Sequence, residues 1–207
     1  MATKRQLQAQ ATKKKLLKTA MGLIEEHGLD AVSIKDITSA CGVAAGTFYK
    51  YFKSKDELTI YFSNRIHEEI GQLIDDSEDI SALELLRQML LRWKAWYDSS
   101  DPKLAARTSI VYANMYISGE QHPSRNDARF EEDTFRLCLE KAVAQGLLRD
   151  DTPVDFLSAL LAMNIHGMMT FYSNGHDRET IDRWWEQYMN YIFRELLATY
   201  RMDGHDD

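Results

Sequence analysis

Residues 33–52 read SIKDITSACGVAAGTFYKYF, and this stretch decides the fold. It contains two short segments whose apolar residues recur at helical spacing, joined by a tight turn at Gly42. Ile37, Val43 and Phe48 fall where they can pack the two segments against each other. Two short helices joined by a glycine-containing turn are typical of a helix-turn-helix that reads DNA.

The second of these segments has small and polar side chains on one side. A recognition helix needs such a face, because its backbone has to come near the base edges. Phosphate contacts are expected from flanking side chains and from the amides that open the helices at Ser33 and Ser54. The groove-facing set is Ala44, Ala45, Gly46, Thr47, Lys50 and Tyr51, the phosphate-facing set is Tyr49, Lys53 and Lys55, and the inward set is Val43, Phe48 and Phe52.

Charge is distributed unevenly along the chain. Residues 1–55 contain ten Lys and Arg against four Asp and Glu, whereas residues 56–207 contain 15 against 28, within a formal net charge of −7. This asymmetry favours an N-terminal segment that faces a polyanion, although lysines that only solvate helix faces would give a similar count.

Composition indicates a globular protein of 207 residues, with 44% hydrophobic and 28% charged residues. There is no apolar run of 18 residues and no signal-peptide pattern, so we expect a cytoplasmic protein without a membrane anchor. Cys41 and Cys138 lack a CxxC partner and are expected to be reduced and buried. Phosphate-loop, dinucleotide, nucleophile-elbow and metal-binding motifs are absent, so no enzyme, cofactor or metal site is predicted.

The rest of the chain predicts an all-α fold of about nine helices. Only three prolines occur, and Ser54–Glu57 and Ser81–Glu84 match capping boxes. Ile34, Ile37 and Ala40 are expected to face inward on the second helix. The predicted helices cover residues 11–26, 33–41, 44–51, 55–74, 81–97, 102–119, 123–146, 152–172 and 177–200, with Thr152 and Asp177 as caps and mobile tails at 1–10 and 202–207.

Residues 10–60 resemble the tetracycline-repressor (TetR) family of bacterial transcriptional regulators. The resemblance is carried by residues 28–32, by Ile37 through the turn at 41–43, and by the motifs at 46–52 and 54–58. Ala44 stands where the family often has serine, which removes a helix cap worth about 1 kcal/mol; Thr38 and Cys41 replace commoner alanines. By resemblance, Lys35, Ala45, Thr47, Lys50 and Tyr51 approach bases, while Ser33, Tyr49 and Lys55 hold the backbone.

The resemblance implies a helix-turn-helix domain at residues 1–54, with a flexible basic arm, and an effector-binding and dimerisation domain at residues 55–207. A single helix-turn-helix reads few base pairs, so such proteins generally bind as two-fold dimers. The last two predicted helices are apolar on more than one face, and the resemblance implies that they form a four-helix interface; burial within one monomer is the alternative. Candidate interface residues are Leu160, Asn164, Met168, Trp184, Trp185, Tyr188 and Ile192.

The middle helices are rich in aromatic and methionine side chains. Most of these are expected to be core, but together they would suit a mostly apolar small-molecule effector. His166 and Asn164 are the candidate polar anchors. The candidate effector-binding residues are Trp93, Trp96, Tyr97, Tyr112, Met115, Tyr116, Phe135, Met163, His166 and Met169.

These features predict a repressor that binds a palindromic operator as a dimer and leaves it when an effector binds. A tilt of the long fourth helix would couple the two events. Two alternatives stay open: an all-helical small-molecule carrier or enzyme that retains the N-terminal unit, and a nucleoid-associated interaction protein on the same fold.

Overall fold

The fold is all-α, as predicted, in a computed structural model that describes residues 3–99, 104, 107, 108, 110, 111, 114, 117, 118, 130–173 and 175–202. For residues 62–64, 169, 172 and 173 it describes the backbone alone. Most of the predicted sixth helix, residues 102–119, lies outside these ranges. The helices are α1 Lys4–His27, α2 Ile34–Cys41, α3 Ala45–Phe48, α4 Leu58–Asp75, α5 Ala82–Ser99, α6 Phe130–Ala144, α7 Val154–Ser173 and α8 Arg178–Asn190, followed by a π-helical turn Tyr191–Leu196 and a 3₁₀ turn Leu197–Tyr200.

The chain divides into two compact units. The N-terminal unit consists of Met1–Arg65 and Lys103–Gly119, and the C-terminal unit consists of Ile66–Pro102 and Glu120–Asp207. Helix α4 contributes residues to both, because the division falls within it. The predicted boundary between residues 54 and 55 separates a DNA-binding domain from an effector-binding domain. It concerns function and not packing, and it stays a prediction.

Helix α1 begins earlier than the apolar pattern predicts. Thr3 and Gln6 form a reciprocal capping box, in which each side chain accepts a hydrogen bond from the other residue's backbone amide. The predicted mobile tail is therefore wrong for residues 4–10. The apolar periodicity of the sequence does not reveal this first part of α1, because Leu7 is 55% exposed and the segment has no buried apolar face.

The core of the N-terminal unit holds α2 and α3 together. Ile37, Phe48 and Phe52 are almost fully buried, and each such side chain contributes about 1.5–3 kcal/mol of hydrophobic stabilisation. Thr38 is also buried. Its hydroxyl is accommodated in the core because it donates a hydrogen bond to the Ile34 carbonyl. The inward row therefore includes Thr38, and the prediction of Ala40 as inward is wrong, since Ala40 is exposed.

The starts of the helices agree with the predicted capping residues, with two exceptions. Asp177 caps α8 through the amide of Thr180, as predicted. The Ser54 hydroxyl accepts from the Glu57 amide, yet α4 itself begins at Leu58, three residues later than predicted, after a tight turn. The hydroxyl of Thr152 donates to the Arg149 carbonyl, so its predicted role as the cap of α7 is wrong.

The core of the C-terminal unit lies between α5, α6 and α7. Met89 and Trp93 of α5, Phe135 of α6, and Leu157 and Ile165 of α7 are nearly inaccessible to solvent. Within the described ranges, no helix combines the length and apolarity needed to span a membrane.

Both cysteines are free and buried, as predicted. Burial raises the pKa of Cys138 to about 12. This thiol is therefore protonated at neutral pH and unreactive.

Candidate nucleic-acid interface and ligand-binding region

Helix α3 presents the predicted groove-facing residues to solvent. Ala44, Ala45 and Lys50 are exposed, and Thr47 is half-buried. Phe48 and Phe52 lie on the opposite side in the core, with their ring centroids 5.2 Å apart. The buried rings anchor a short helix whose outer face carries small side chains, with Lys50 in the turn that follows it; a major groove admits a helix of this kind.

Ala44 opens α3 without a side-chain hydrogen bond to the helix amides. The cap that a serine would supply is therefore missing, as the sequence predicts. Tyr51 is half-buried against the core, while the ring of Tyr49 is 60% exposed and contacts Phe48 edge-on. Tyr49 is accordingly the more accessible of the two tyrosines.

Gly46 lies on the exposed face of α3 in ordinary helical backbone. A β-carbon at this position would meet no described atom within 4 Å, so nothing in the described fold requires glycine there. Glycine inside a helix costs about 1 kcal/mol relative to alanine. By contrast, Gly42 adopts the left-handed conformation, with φ 68°, that ends α2 and forms the turn. Gly46 thus has no internal explanation and suits close approach of another molecule.

The predicted phosphate ligand Lys55 has an internal role. Its Nζ donates hydrogen bonds to the carbonyl oxygens of Leu29, at 2.5 Å, and Val32, at 2.8 Å. These carbonyls belong to the segment that leads into α2. Lys55 therefore ties the entry of α2 to the turn before α4, a role that sequence reasoning missed.

Two lysines of α1 also have partners inside the unit. Lys15 Nζ donates to the Cys41 carbonyl at 2.9 Å, and Lys13 Nζ lies over the rings of Phe52 and Tyr61. The positive charge of the N-terminal segment is thus partly used in packing. The charge count alone overstates what is available to a polyanion.

Lys35 and Lys50 are exposed, and in the described part of the chain no hydrogen bond or ion pair of either ammonium group is seen. Ser33 is exposed as well, but its hydroxyl takes part in the capping box of α2 with Asp36. This arrangement fixes the first turn of α2, and the start of a helix is a place where a phosphate is favoured.

Arg107 forms ion pairs with two acids of the same unit. Its guanidinium pairs with Asp30, before α2, and with Asp56, 3.0 Å away in the turn before α4. Next to it, the hydroxyl of buried Thr108 lies 3.4 Å from the Thr59 carbonyl of α4. Residues near 107 therefore brace both ends of the helix-turn-helix, although they are distant in sequence.

Comparison with known proteins agrees with this geometry. The family model described as "Bacterial regulatory proteins, tetR family" matches residues 16–61, from the buried part of α1 to the first turn of α4. The HTH-type transcriptional repressor AcnR of Corynebacterium diphtheriae is 22% identical over 176 residues, which cover 83% of this chain and 86% of that protein. A probable acrEF/envCD operon repressor of Escherichia coli is 22% identical over 167 residues, covering 78% and 76%.

A crystal structure of a TetR-family transcriptional regulator from Pectobacterium atrosepticum has the same fold. It matches with a TM-score of 0.67 at 18% identity, over 97% of this chain and 100% of that one. Together these matches indicate a transcriptional regulator of the TetR family. It is a DNA-binding regulator and not an enzyme, which sets aside the enzyme alternative.

The C-terminal unit exposes an apolar stripe on α7. Phe156, Met163 and Phe171 are 60%, 58% and 47% exposed and follow one another along one face of the helix. Leu160 and Gly167 complete the row at three- and four-residue spacing. Met163, which the sequence predicts to line the effector site, lies on this exposed stripe; its role in effector binding stays a prediction.

The other predicted interface residues divide into two groups. Trp185 and Ile192 are 5% and 1% exposed in a single chain, so a partner has almost nothing left to cover there. Trp184 is half-buried and contacts the ring of Phe171 at 5.7 Å, which extends the stripe onto α8. Asn164, Met168 and Tyr188 are half-buried, and the Asn164 amide donates to the Leu160 carbonyl of its own helix.

The predicted effector-binding residues are only partly brought together. Trp93, Tyr97 and Phe135 are buried and Trp96 is half-buried. The side chain of His166 is 55% exposed. Tyr112, Met115, Tyr116 and the Met169 side chain lie outside the described residues.

A carboxylate that sequence reasoning missed lies in the same region. Glu131 is 7% exposed, with one oxygen 3.4 Å from His67 Nε2 and the other 3.9 Å from His166 Nε2. Burial alone would raise the pKa of Glu131, but the hydrogen bond from His67 and the charges of both histidines hold it below its usual value. Glu131 begins an ordinary acidic run in the sequence, so nothing there signals its burial.

Proposed function

We propose that this TetR-family regulator is a dimeric repressor that binds a two-fold symmetric operator and releases it when a small molecule binds the C-terminal unit. The observation that carries the proposal is α3, whose exposed small-residue face is held by the buried rings of Phe48 and Phe52. Such a protein acts where the chromosome is, in the cytoplasm.

In this proposal, α3 enters the major groove. Lys50 and Thr47 supply hydrogen bonds to base edges, Ala45 and Gly46 permit close approach, and Lys35 adds a contact from α2. Tyr49, together with the amides that open α2, holds the phosphates, whereas the first amides of α4 already donate to the carbonyls of Lys55, Asp56 and Glu57. Since few side chains can hydrogen-bond bases, shape and methyl contacts contribute to the choice of site.

Dimerisation uses the stripe on α7 in this proposal. An exposed row with three large apolar side chains is costly in water unless it is covered. Gly167 lies within the row, and a β-carbon there would meet no described atom within 4 Å, so a partner helix can come close at this point. Trp184 of α8 extends the same surface, in keeping with the four-helix interface that the family resemblance implies.

Coupling between effector and operator is proposed to run through α4 and Arg107. Helix α4 contributes to both units, and Arg107 braces the segment before α2 as well as the turn before α4. An effector that favours another position of α4 would change the spacing of the two α3 helices in a dimer. By linkage, operator and effector would weaken each other's binding by the same factor.

Selection of bound duplexes from a random DNA pool tests the proposal. We expect a palindromic consensus with half-sites about one helical turn apart, and binding that weakens steeply with salt. Failure to enrich any symmetric sequence would contradict it. A protein that binds DNA but is released by no compound in a broad screen would instead support the nucleoid-associated alternative.

A further inference from the structure

A cluster in the C-terminal unit, formed by His67, Trp93, Tyr97, Phe130, Glu131 and His166, brings together side chains of α4, α5, α6 and α7. We infer that this Glu131 cluster binds an organic cation, so that the effector of the regulator is an amine, a quaternary ammonium or a phosphonium compound. The inference deepens the proposed ligand-responsive function and rests on it.

The carboxylate of Glu131 is the first part of the argument. Its side chain is 10% exposed, and its nearest described histidine nitrogens, Nε2 of His67 and Nε2 of His166, lie at 3.4 and 3.9 Å. Charge-assisted hydrogen bonds normally measure about 2.7–2.9 Å. A buried ion pair compensates for desolvation only when its geometry is good. Glu131 therefore keeps unused capacity to interact with positive charge.

Aromatic rings pack around His67, the histidine next to this carboxylate. The imidazole of His67 stacks on Phe130 with centroids 4.2 Å apart and meets Trp93 edge-on at 5.8 Å. Trp93 continues the row to Tyr97 at 6.1 Å. The negative charge of Glu131 is close enough to Tyr97 to add to the effect of burial, which raises the pKa of that phenol well above its usual value. Tyr97 therefore stays neutral and offers its ring, while its hydroxyl donates to the Ile165 carbonyl at 3.4 Å.

A carboxylate among aromatic faces is the chemistry that recognises organic cations. The carboxylate neutralises the charge, and the electron-rich ring faces attract it, most strongly where water is excluded. The same arrangement repels carboxylates, sulfates and phosphates. The Glu131 cluster thus selects by charge as well as by shape.

The cluster has one solvent-exposed member. His166 Nε2 lies 3.9 Å from the second oxygen of Glu131, and its side chain is 55% exposed. A rotation of this surface side chain would bring Glu131 into contact with an incoming ligand. In addition, Nε1 of Trp93, a residue only 1% exposed, has no acceptor within the described residues, which leaves a buried donor for a ligand oxygen.

Direct binding to the full-length protein tests the inference without DNA. Tetraphenylphosphonium and tetraphenylborate have nearly the same size and shape and opposite charge, and benzyltrimethylammonium can be compared with its carbon isostere, neopentylbenzene. Titration calorimetry in sodium buffer should show saturable binding of the cations. At least one cation should bind about tenfold or more tightly than its matched anion or neutral isostere.

Variants identify the group responsible. Glu131→Gln keeps the shape and removes the charge, and we expect it to lose about tenfold or more of the cation affinity. Asp133→Asn removes a charge from an exposed position on the same helix and should bind cations as the wild type does. Equal affinity for both members of each pair, or unchanged cation affinity in Glu131→Gln, would overturn the inference.

His166→Asp provides a second test, at an exposed position, in case Glu131→Gln does not fold. An added carboxylate beside Glu131 should tighten cation binding about threefold or more, and unchanged or weaker binding would count against the inference. The cation site and the effector role can be disproved separately. Cation binding without operator release would contradict the effector role, whereas release by uncharged or anionic compounds alone would contradict the cation site and leave the regulator intact.

Discussion

At Gly46 of α3, the side chain that would favour folding differs from the one that would favour DNA binding. A β-carbon has room there, and removal of a mid-helix glycine favours folding. The same β-carbon would stand between the helix backbone and a base edge. The residue is explained by what approaches α3 from outside the protein.

For Gly46→Ala we expect the free energy of unfolding to stay equal or rise by up to about 1 kcal/mol, while operator affinity falls about tenfold. Urea denaturation and fluorescence anisotropy measure the two effects. Gly22→Ala is the matched control, because Gly22 is an exposed glycine within α1 that also has room for a β-carbon. Unchanged operator affinity in Gly46→Ala would show that α3 keeps its distance from the bases.

Lys50 is exposed in the turn that follows α3. We expect its replacement to affect the selectivity of DNA binding. Lys50→Ala should lose about 1–3 kcal/mol of operator binding and discriminate less between operator and mutated duplexes. Arg194→Ala removes one exposed positive charge from the π-helical turn and serves as the control. A Lys50→Ala protein as tight and as selective as the wild type would remove Lys50 from the readout.

At the scale of elements, Lys55 and Arg107 determine how α2 is held relative to the start of α4. Lys55 reaches the carbonyls of Leu29 and Val32, and Arg107 reaches Asp30 and Asp56. These contacts add to the buried apolar cluster in which Leu29, Val32 and Leu58 already join the same segments. A helix of four residues such as α3 has little stability of its own, so its position depends on this bracing.

Lys55→Met is expected to lower the free energy of unfolding by about 1–2 kcal/mol, because two half-buried carbonyls lose their donor. Operator affinity should fall through the altered position of α2. Lys35→Met, which removes an exposed lysine of α2, should weaken DNA binding with little change in stability. If Lys55→Met changes only DNA affinity and its salt dependence, Lys55 acts as a phosphate ligand, as the sequence predicts.

At the scale of the whole molecule, the exposed stripe on α7 is the proposed dimer interface. A helix-turn-helix gains affinity and selectivity when a second copy reads an adjacent half-site, since both sites are then bound together. The dimer is therefore part of the proposed reading mechanism. Its interface can be tested independently of DNA.

Met163→Asp places a charge in the middle of the stripe, and we expect a folded monomer that no longer binds the full operator. Sedimentation velocity at micromolar concentration reports the mass, and circular dichroism reports the fold. Leu137→Asp alters another exposed apolar side chain, on α6, and should leave the assembly unchanged. A Met163→Asp protein of unchanged mass would move the interface elsewhere.

Sequence alone predicted the helix-turn-helix well, because its signals are local. Helical spacing of buried residues, the cap at Ser33 and the left-handed turn at Gly42 all act within a few residues. The start of α1 was mispredicted because its capping box carries no apolar signal. The same local signals correctly identified Phe48 and Phe52 as core residues and Lys50 as exposed.

The sequence by itself therefore determined the all-α class and the identity of the DNA-reading segment, since caps, turns and helical periodicity are properties of neighbouring residues. Tertiary structure alone decided the partners of Lys55, the exposure of Met163 and the meeting of His67 with Glu131, which are 64 residues apart. Such contacts depend on how helices pack, and packing is set by the whole set of buried surfaces and not by any single segment.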